Sequence, residues 1–463
     1  MWYWLFVSVM KFFLNRLVIN GAKNIDKPIE LLFSNKTISD DMNFCNSNVK
    51  AIYGPNGSGK SGIMSAVYIY KRLIEDMDGI NDKLFSRFIF ETINKDTKIL
   101  SIDVVFTVVD FWNKHKTCCF KHTIELGADE EIVSIKKEEI SILKGKSIKN
   151  ENFKTLILIE NGILVDIKMG KEHELSSEPL YITSLNLLDK FSITNSIWKL
   201  INYKSGNYFG DEEVIISLCA IFMLPTNLVV ELNKEDIHVD YISNKIYEKK
   251  FDSEEKVSKM IRVMTNELSP AEYLINLSTQ NRDIVDEKNY SKYEQNIARL
   301  TEFIRIFKPD LDEIIIDKKI NGDKFYCDKI FRYGNRKINV EFESTGIKKL
   351  VKLYSTLRSC ANGSIAFVDE MDANLHDVYF TKIIEFFKND SKGQLCFTTH
   401  NLEPIDVLKD NSHSLDFISN DSRVYSWVKD GNKSPMNKYV NGLIPYSPFN
   451  VESFDFDLLL DEE

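Results

Sequence analysis

The chain of 463 residues is poor in the residues that mark several protein classes. Only ten prolines and 19 glycines occur, and the sequence shows no internal repeat and no low-complexity linker that would mark a domain boundary. The seven cysteines are scattered without metal-ligand spacing, so we expect reduced thiols and neither a disulfide framework nor a zinc site. No hydrophobic run is long enough to span a bilayer, and no sustained heptads predict a long coiled coil. With 43% hydrophobic residues, the chain is expected to be soluble and to bury a large core.

Basic residues are outnumbered by acidic residues. The net charge of −10 argues against a surface broadly devoted to nucleic acid, although a local basic groove in an oligomer would not show in this total. The first ten residues are apolar but lack the charged start and cleavage site of a secretory signal, and Met10 resembles a natural start. We therefore expect a cytoplasmic protein that does not insert into a membrane.

The most informative segment is GPNGSGKS, whose glycines would let backbone N–H groups wrap closely around a phosphate chain. Its residues are Gly54, Pro55, Asn56, Gly57, Ser58, Gly59, Lys60 and Ser61. In such a loop Lys60 would reach the β- and γ-phosphates of ATP, and the Ser61 hydroxyl would hold Mg²⁺. A buried strand is predicted before the loop and an amphipathic helix after it, which makes a chance match the weaker interpretation.

A second segment, IAFVDE at 365–370, predicts an apolar strand that ends in two acids, Asp369 and Glu370. Ligands bind at the carboxyl ends of strands in open α/β sheets. Asp369 would hold Mg²⁺ through its water shell, and Glu370 would orient or deprotonate the attacking water. Alone, such a pair would more simply be an exposed strand end.

Two further segments flank the acids. In ESTGIKK, Ser344 and Gly346 stand at the start of a predicted helix and would form a second anion cradle, although an ordinary helix cap is the simpler interpretation of this stretch alone. His400 follows a strand predicted over 395–399, and a histidine at this place resembles the switch histidine that senses the γ-phosphate in ABC-type ATPases. A lone histidine is more often structural, but the order of the motifs predicts one ATP site.

These motifs, GPNGSGKS, ESTGIKK, VDEMDANLH and FTTHN, resemble those of the AAA-type ATPases of bacterial abortive-infection and other anti-phage systems. The resembled family includes the OLD-family nucleases and the ATPase subunits of PARIS and Septu. The resemblance covers about 11–75 and 340–445. It implies an α/β fold, an ABC-type ATPase head with a mixed sheet, flanking helices and a P-loop, and an inserted, mostly helical domain. It also implies ATP and Mg²⁺ as cofactors, a D-loop at 371–376, and a homodimer or higher homo-oligomer. In that assembly Ser344 and Gly346 of one copy clasp the γ-phosphate of ATP bound to another.

One departure from this family concerns glutamine. No glutamine occurs before Gln280, so the residue that usually contacts Mg²⁺ and the attacking water between the loop and the signature is missing. Either another polar residue such as Glu91 or Asn94 substitutes, or hydrolysis is slow and the protein acts as a nucleotide-gated switch.

The coarse pattern between the motifs changes from strands to helices and back to strands. We predict an N-terminal ATPase lobe over 1–175, a helical insert over 176–310 that serves dimerisation or a partner, a C-terminal lobe over 311–445 and an acidic tail over 446–463. Asn161 and Gly162 predict a type I′ hairpin turn. A capping box from Ser291 to Glu294 predicts a helix start.

The predicted function is an ATPase sensor or scaffold of an anti-phage defence complex, which controls a separately encoded effector, a nuclease, in response to a phage-encoded trigger. From the length of the segment after His400 we expect no Toprim nuclease domain like that of OLD-like relatives. The alternative is a DNA-repair clamp resembling RecF or SMC-like heads, with ATP-gated DNA binding. An AAA+ unfoldase is disfavoured by the helix just ahead of the acids and by the long separation between Lys60 and Asp369.

Overall fold

The computed structural model describes residues 11–38, 48–75, 79–111, 116–167, 188–193, 212–233, 277, 282–322, 324–429 and 434–444. Within these ranges the strands are β1 (Lys11–Asn20), β2 (Ile29–Leu32), β3 (Val49–Tyr53), β4 (Ile99–Phe111), β5 (Lys116–Asp129), β6 (Ile132–Leu143), β7 (Phe153–Glu160), β8 (Ile163–Ile167), β9 (Leu228–Glu231), β10 (Asp283–Asp286), β11 (Glu313–Asn321), β12 (Lys324–Tyr333), β13 (Arg336–Asn339), β14 (Ile365–Val368), β15 (Gln394–Thr398), β16 (Leu415–Ile418) and β17 (Val424–Ser426). The α-helices are α1 (Lys60–Glu75), α2 (Lys83–Thr92), α3 (Glu212–Met223), α4 (Tyr290–Phe307), α5 (Thr345–Ala361), α6 (Asp377–Asp390), α7 (Glu403–Leu408) and α8 (Pro435–Val440).

The sheet that carries the predicted motifs has six strands in the order β17-β16-β3-β15-β14-β9. All neighbours are parallel except β17, which is antiparallel to β16. Every residue of β3, β14 and β15 is buried, because a mostly parallel sheet is covered on both faces and its strands are continuous apolar runs. Since β15 lies between β3 and β14, the carboxyl ends of these three strands meet at one edge.

Helices pack on both faces of this sheet. Phe367 of β14 shares a core with Ile63 and Val67 of α1, which also contacts the second sheet. The neighbouring Val368 shares a separate core with Leu353 of α5, since successive strand residues point to opposite faces. The predicted α/β head, with a mixed sheet, flanking helices and a P-loop, is confirmed.

The second sheet is antiparallel and has seven strands in the order β2-β1-β4-β5-β6-β7-β8. Its first two strands along the chain, β1 and β2, pair antiparallel. The hairpin between β7 and β8 turns through Asn161 at φ 49° and Gly162 at φ 74°. Two successive positive φ angles are those of a type I′ turn, so this prediction is confirmed.

A small antiparallel sheet, β10-β12-β11 with β13 paired to β12, lies ahead of α5 in the chain. The helix α4 packs on it through Tyr293 and Leu300, which join the same core as Phe331 of β12. The predicted capping box is wrong, because α4 begins at Tyr290 and Ser291 lies inside it. A 3-10 turn leads straight into this helix, so its N-cap is Asn289, whose side chain makes no capping hydrogen bond.

The domain boundaries at 175, 310 and 445 stay predictions. The strand β9 falls within the segment predicted to be a helical insert but pairs with β14 in the head sheet. Residues 1–10 and the acidic tail lie outside the described residues. Across the described part of the chain, no helix combines the length and apolar character needed to cross a membrane.

Candidate nucleotide-binding site

The loop GPNGSGKS connects β3 to α1, as its sequence predicts. Gly57 and Gly59 have φ angles of +82° and +98°, which lie in the left-handed region that side chains disfavour. A Cβ atom on Gly59 would also lie 2.7 Å from Cγ1 of Ile25, and one on Gly54 would lie 2.5 Å from the carbonyl oxygen of Ile418. The loop therefore follows a path that requires glycine, and its backbone can approach a phosphate closely.

Lys60 is the first residue of α1 and is only 8% exposed. Its Nζ donates to the carbonyl oxygens of Gly54 and Pro55 at 2.7 and 2.9 Å, so the ammonium lies over the loop. Burial lowers the pKa of Lys60, while the negative charges of Asp369 and Glu370 raise it. The lysine of the loop and the two acids after β14 thus act on one another within a single site.

Asp369 follows β14 and is 2% exposed. Its Oδ1 accepts a hydrogen bond from the Thr398 hydroxyl at 2.5 Å. Its Oδ2 is buried and has no hydrogen-bond partner among the described residues. A buried carboxylate oxygen without a partner is unfavourable, and a hydrated hard cation is the partner it suits. The unpartnered oxygen of Asp369 therefore fits a Mg²⁺ ion.

Glu370 has a φ of 44°, an uncommon conformation for a residue with a side chain. Three side chains from different parts of the chain bond to it. Its amide N–H donates to the Thr398 hydroxyl oxygen at 2.7 Å, its Oε2 accepts from Nδ2 of Asn233 at 2.6 Å, and its carbonyl oxygen accepts from Nζ of Lys349 at 3.0 Å. The structure thus holds both the main chain and the carboxylate of this residue in place.

His400 lies just beyond β15, with its side chain at the surface. Its amide N–H donates to Oδ2 of Asp372 at 3.4 Å. Partial burial lowers its pKa, the positive charge of Lys60 lowers it further, and Asp372 and Asp369 oppose this shift. A ring with a lowered pKa is neutral near pH 7 and can exchange a proton or accept a hydrogen bond.

The signature segment lies at the start of α5. The Ser344 hydroxyl oxygen caps the helix by accepting from the Ile347 amide at 3.4 Å. A Cβ atom on Gly346 would lie 2.9 Å from the carbonyl oxygen of Asn374, so the signature turn packs against the segment after the acids. Among the described residues no hydrogen bond joins Ser344 to the loop 54–61; the bonds of its amide and hydroxyl are to Glu343 and Ile347.

The two candidates for the missing glutamine have other contacts. Glu91 forms an exposed ion pair with Lys95 at 3.4 Å. Asn94 is buried, donates from Nδ2 to the carbonyl oxygen of Lys23 at 2.7 Å and accepts at Oδ1 from two amides of its own turn. Asn94 therefore holds its own turn and the segment at Lys23, and its Oδ1, which already accepts two hydrogen bonds, has no lone pair left for a metal ion.

Sequence reasoning missed three side chains of the site: Thr398, Asn233 and Lys349. Thr398 stands in the FTTHN segment, so its position at a strand end next to β14 offered a signal. Asn233 offered none, because it reaches Glu370 only through the pairing of β9 with β14. Lys349 stands in the ESTGIKK segment, but the spacing of residues along the chain could not predict its hydrogen-bond partner.

Comparisons with known proteins agree with this geometry. Residues 227–406, less than half of the chain, match the family model described as "AAA domain, putative AbiEii toxin, Type IV TA system". No curated protein sequence matches the chain. The matched stretch contains the signature segment and both acids, and its similarity is to an AAA domain.

Several solved structures are similar over most of the chain. The Smc head domain from Pyrococcus furiosus, bound to the C-terminal domain of ScpA, is 16% identical with a TM-score of 0.41 and covers 90% of this chain and 96% of that one. The SMC head domain from Thermotoga maritima is 14% identical with a TM-score of 0.31, covering 90% and 99%. The recombination mediator protein RecF is 13% identical with a TM-score of 0.32, covering 90% and 98%. Because these scores lie below 0.5, the assignment of the fold depends on the strand order and packing described above.

Proposed function

We propose that this chain binds MgATP at the loop 54–61 and hydrolyses it. The observation that carries the proposal is the convergence of Lys60, Asp369, Glu370 and His400, which come from the ends of three adjacent strands. Phosphoryl transfer depends on positioning and on neutralising charge more than on covalent chemistry. A cation from α1 and two acids from β14 supply these requirements.

Each group has a distinct role in this proposal. The backbone amides of the loop and Lys60 bind the phosphates, while Ser61 and Asp369 hold Mg²⁺, which neutralises charge on the phosphate oxygens when bound. Glu370 accepts a proton from the attacking water, and the bond from Asn233 fixes the carboxylate for this step. His400 contacts the γ-phosphate as a neutral ring. Ser344 and Gly346 complete the site of a second copy, so the active form is a homodimer or a higher oligomer.

Two variants test the enzymatic proposal. Lys60→Ala should abolish nucleotide binding, measured with a fluorescent ATP analogue, because the loop loses its buried cation. Glu370→Gln should retain binding but lower the rate of phosphate release at least about 100-fold, the usual scale for a lost catalytic group. Lys382→Ala, which removes an exposed lysine on α6, is the control and should match the parent. Turnover by Glu370→Gln at the parental rate would contradict the assigned role.

The biological role that we propose is control of a separately encoded effector, a nuclease, in cytoplasmic anti-phage defence. The description of the matching family names a putative toxin of a type IV toxin–antitoxin system, which supports a defence role. Co-expression with the neighbouring open reading frame should protect cells from phage, and Lys60→Ala should remove the protection.

A DNA-binding assay separates this role from that of a repair clamp. The acidic net charge of −10 predicts weak binding of duplex DNA with or without ATP. Tight, salt-dependent binding that requires ATP would instead support a RecF-like clamp and overturn the effector proposal.

A further inference from the structure

The signature helix α5 is bonded to the acid segment through one of its faces. Lys349, Lys352 and Thr356 lie at spacings that place them on the same side of a helix. Lys349 donates to the Glu370 carbonyl oxygen at 3.0 Å. Lys352 pairs with Oε2 of Glu231 at 3.0 Å, and the Thr356 hydroxyl donates to Oε1 of that carboxylate at 2.9 Å.

These contacts connect α5 to both acids at the end of β14, the proposed metal ligand Asp369 and the proposed base Glu370. The Glu231 carbonyl oxygen, at the end of β9, accepts from the Asp369 amide at 2.9 Å. Lys352 and Thr356 thus hold the end of β9 beside Asp369, while Lys349 contacts Glu370 directly. A shift of α5 along its axis would disturb all three contacts together.

The Glu370 main chain needs such support. A non-glycine residue in the left-handed region is strained and persists only where its surroundings impose that conformation. Thr398 fixes the amide and Asn233 fixes the carboxylate. Lys349, on the helix that Ser344 caps, fixes the carbonyl.

We propose that Lys349 is a positioning residue that holds Glu370 in its left-handed conformation and transmits movement of the signature turn to it. Ser344 and Gly346 lie at the first turn of α5, and Lys349 lies one turn later. When Ser344 and Gly346 of one chain contact the γ-phosphate of ATP bound to a second copy, the movement of α5 would reach Glu370 of the first chain. This inference rests on the proposed ATPase function.

The test compares ATP turnover and ATP affinity in Lys349→Met. Loss of the ammonium should lower kcat at least about tenfold while the Kd for ATP changes less than about threefold, because Lys349 contacts no group of the phosphate loop. Lys349→Arg, which keeps a donor, should recover most of the rate. Lys388→Met is the matched control, since Lys388 also donates from a helix to a carbonyl oxygen, that of Val407 at 2.6 Å, and it should match the parent.

A double-mutant cycle distinguishes positioning from general destabilisation. In single-turnover assays, adding Lys349→Met to Glu370→Gln should change the residual rate less than about twofold, because Lys349 acts through the carboxylate that is already gone. Equal fold losses in both backgrounds, or a parental rate in Lys349→Met, would overturn the inference while leaving the ATPase proposal intact. If Lys349→Met does not fold, Lys349→Gln, which is too short to reach the carbonyl, replaces it. A parent protein without any turnover would overturn the ATPase proposal and this inference with it.

Discussion

The Thr398 hydroxyl donates to Oδ1 of Asp369 at 2.5 Å. The same oxygen accepts the amide hydrogen of Glu370 at 2.7 Å. A single side chain at the end of β15 therefore fixes both acids at the end of β14. It also leaves Oδ2 of Asp369 as the oxygen free to approach a hydrated cation.

This relationship predicts the effect of Thr398→Val, which keeps the side-chain shape and removes the hydroxyl. Outer-shell partners of metal ligands commonly contribute 10- to 100-fold to affinity or activity. We expect ATP turnover to fall by about this factor and the Mg²⁺ concentration for half-maximal activity to rise. Steady-state assays across a Mg²⁺ titration measure both quantities.

The control is Thr301→Val, because the hydroxyl of Thr301 is also buried but bonds within α4 at 2.9 Å. An unchanged Mg²⁺ dependence in Thr398→Val would show that the hydroxyl does not orient Asp369.

The lowered pKa of His400 predicts a pH dependence of stability. The unfolded ring titrates near pH 6.5, and burial followed by the charge of Lys60 places the folded pKa below this value. As the pH falls, the unfolded state binds the proton first. The stability that the neutral ring contributes above about pH 6.5 is therefore lost as the pH falls through the folded pKa. Urea denaturation from pH 7.5 to 5 should show this loss, and His400→Gln should reduce it.

The pKa of His400 also tests whether its ring lies close to Lys60. Because the cation lowers the pKa of His400, Lys60→Met should raise that pKa in an NMR titration of the nucleotide-free protein. His413 provides an internal control, since burial and the charge of Lys50 lower its pKa and Lys60 is not among the causes. No rise at His400 would contradict the electrostatic contact.

Gly59→Ala should abolish ATP binding. The substitution places a Cβ atom at a φ of +98° and 2.7 Å from Cγ1 of Ile25, so the loop must move away from its phosphate-binding path. Gly145→Ala is the matched control, because Gly145 has a φ of +106° with nothing near the added atom. Both variants should lose about 1–2 kcal/mol of stability, but only the first should lose ATP binding by calorimetry.

A buried ion pair beneath the loop predicts a large loss of stability. Nζ of Lys50 lies 2.5 Å from Oδ2 of Asp416, and both side chains are nearly inaccessible. Lys50→Met leaves a buried carboxylate unpaired and should lower the free energy of unfolding by about 3–5 kcal/mol. Adding Asp416→Asn should restore much of this loss, because the amide carries no charge. Lys382→Met, in an exposed pair, should change stability by less than about 1 kcal/mol.

Much of the fold could be predicted from local sequence. The apolar runs of β3 and β14 predict buried strands at the positions where the structure has them, because burial on both faces leaves a continuous hydrophobic pattern. The sequence did not place β9 in the head sheet. Strand partners that lie more than a hundred residues apart leave no periodic signal in either segment.

The amino-acid sequence by itself determined which groups can bind phosphate and metal, since loop geometry depends on glycines and charge depends on residue type. Lys60, Asp369 and Glu370 could therefore be named before any fold was known. Only the tertiary structure decided how Glu370 is held, because Asn233, Lys349 and Thr398 reach it from separate elements. Hydrogen bonds require atoms within about 3 Å, and the packing of remote strands and helices alone brings these side chains within that distance.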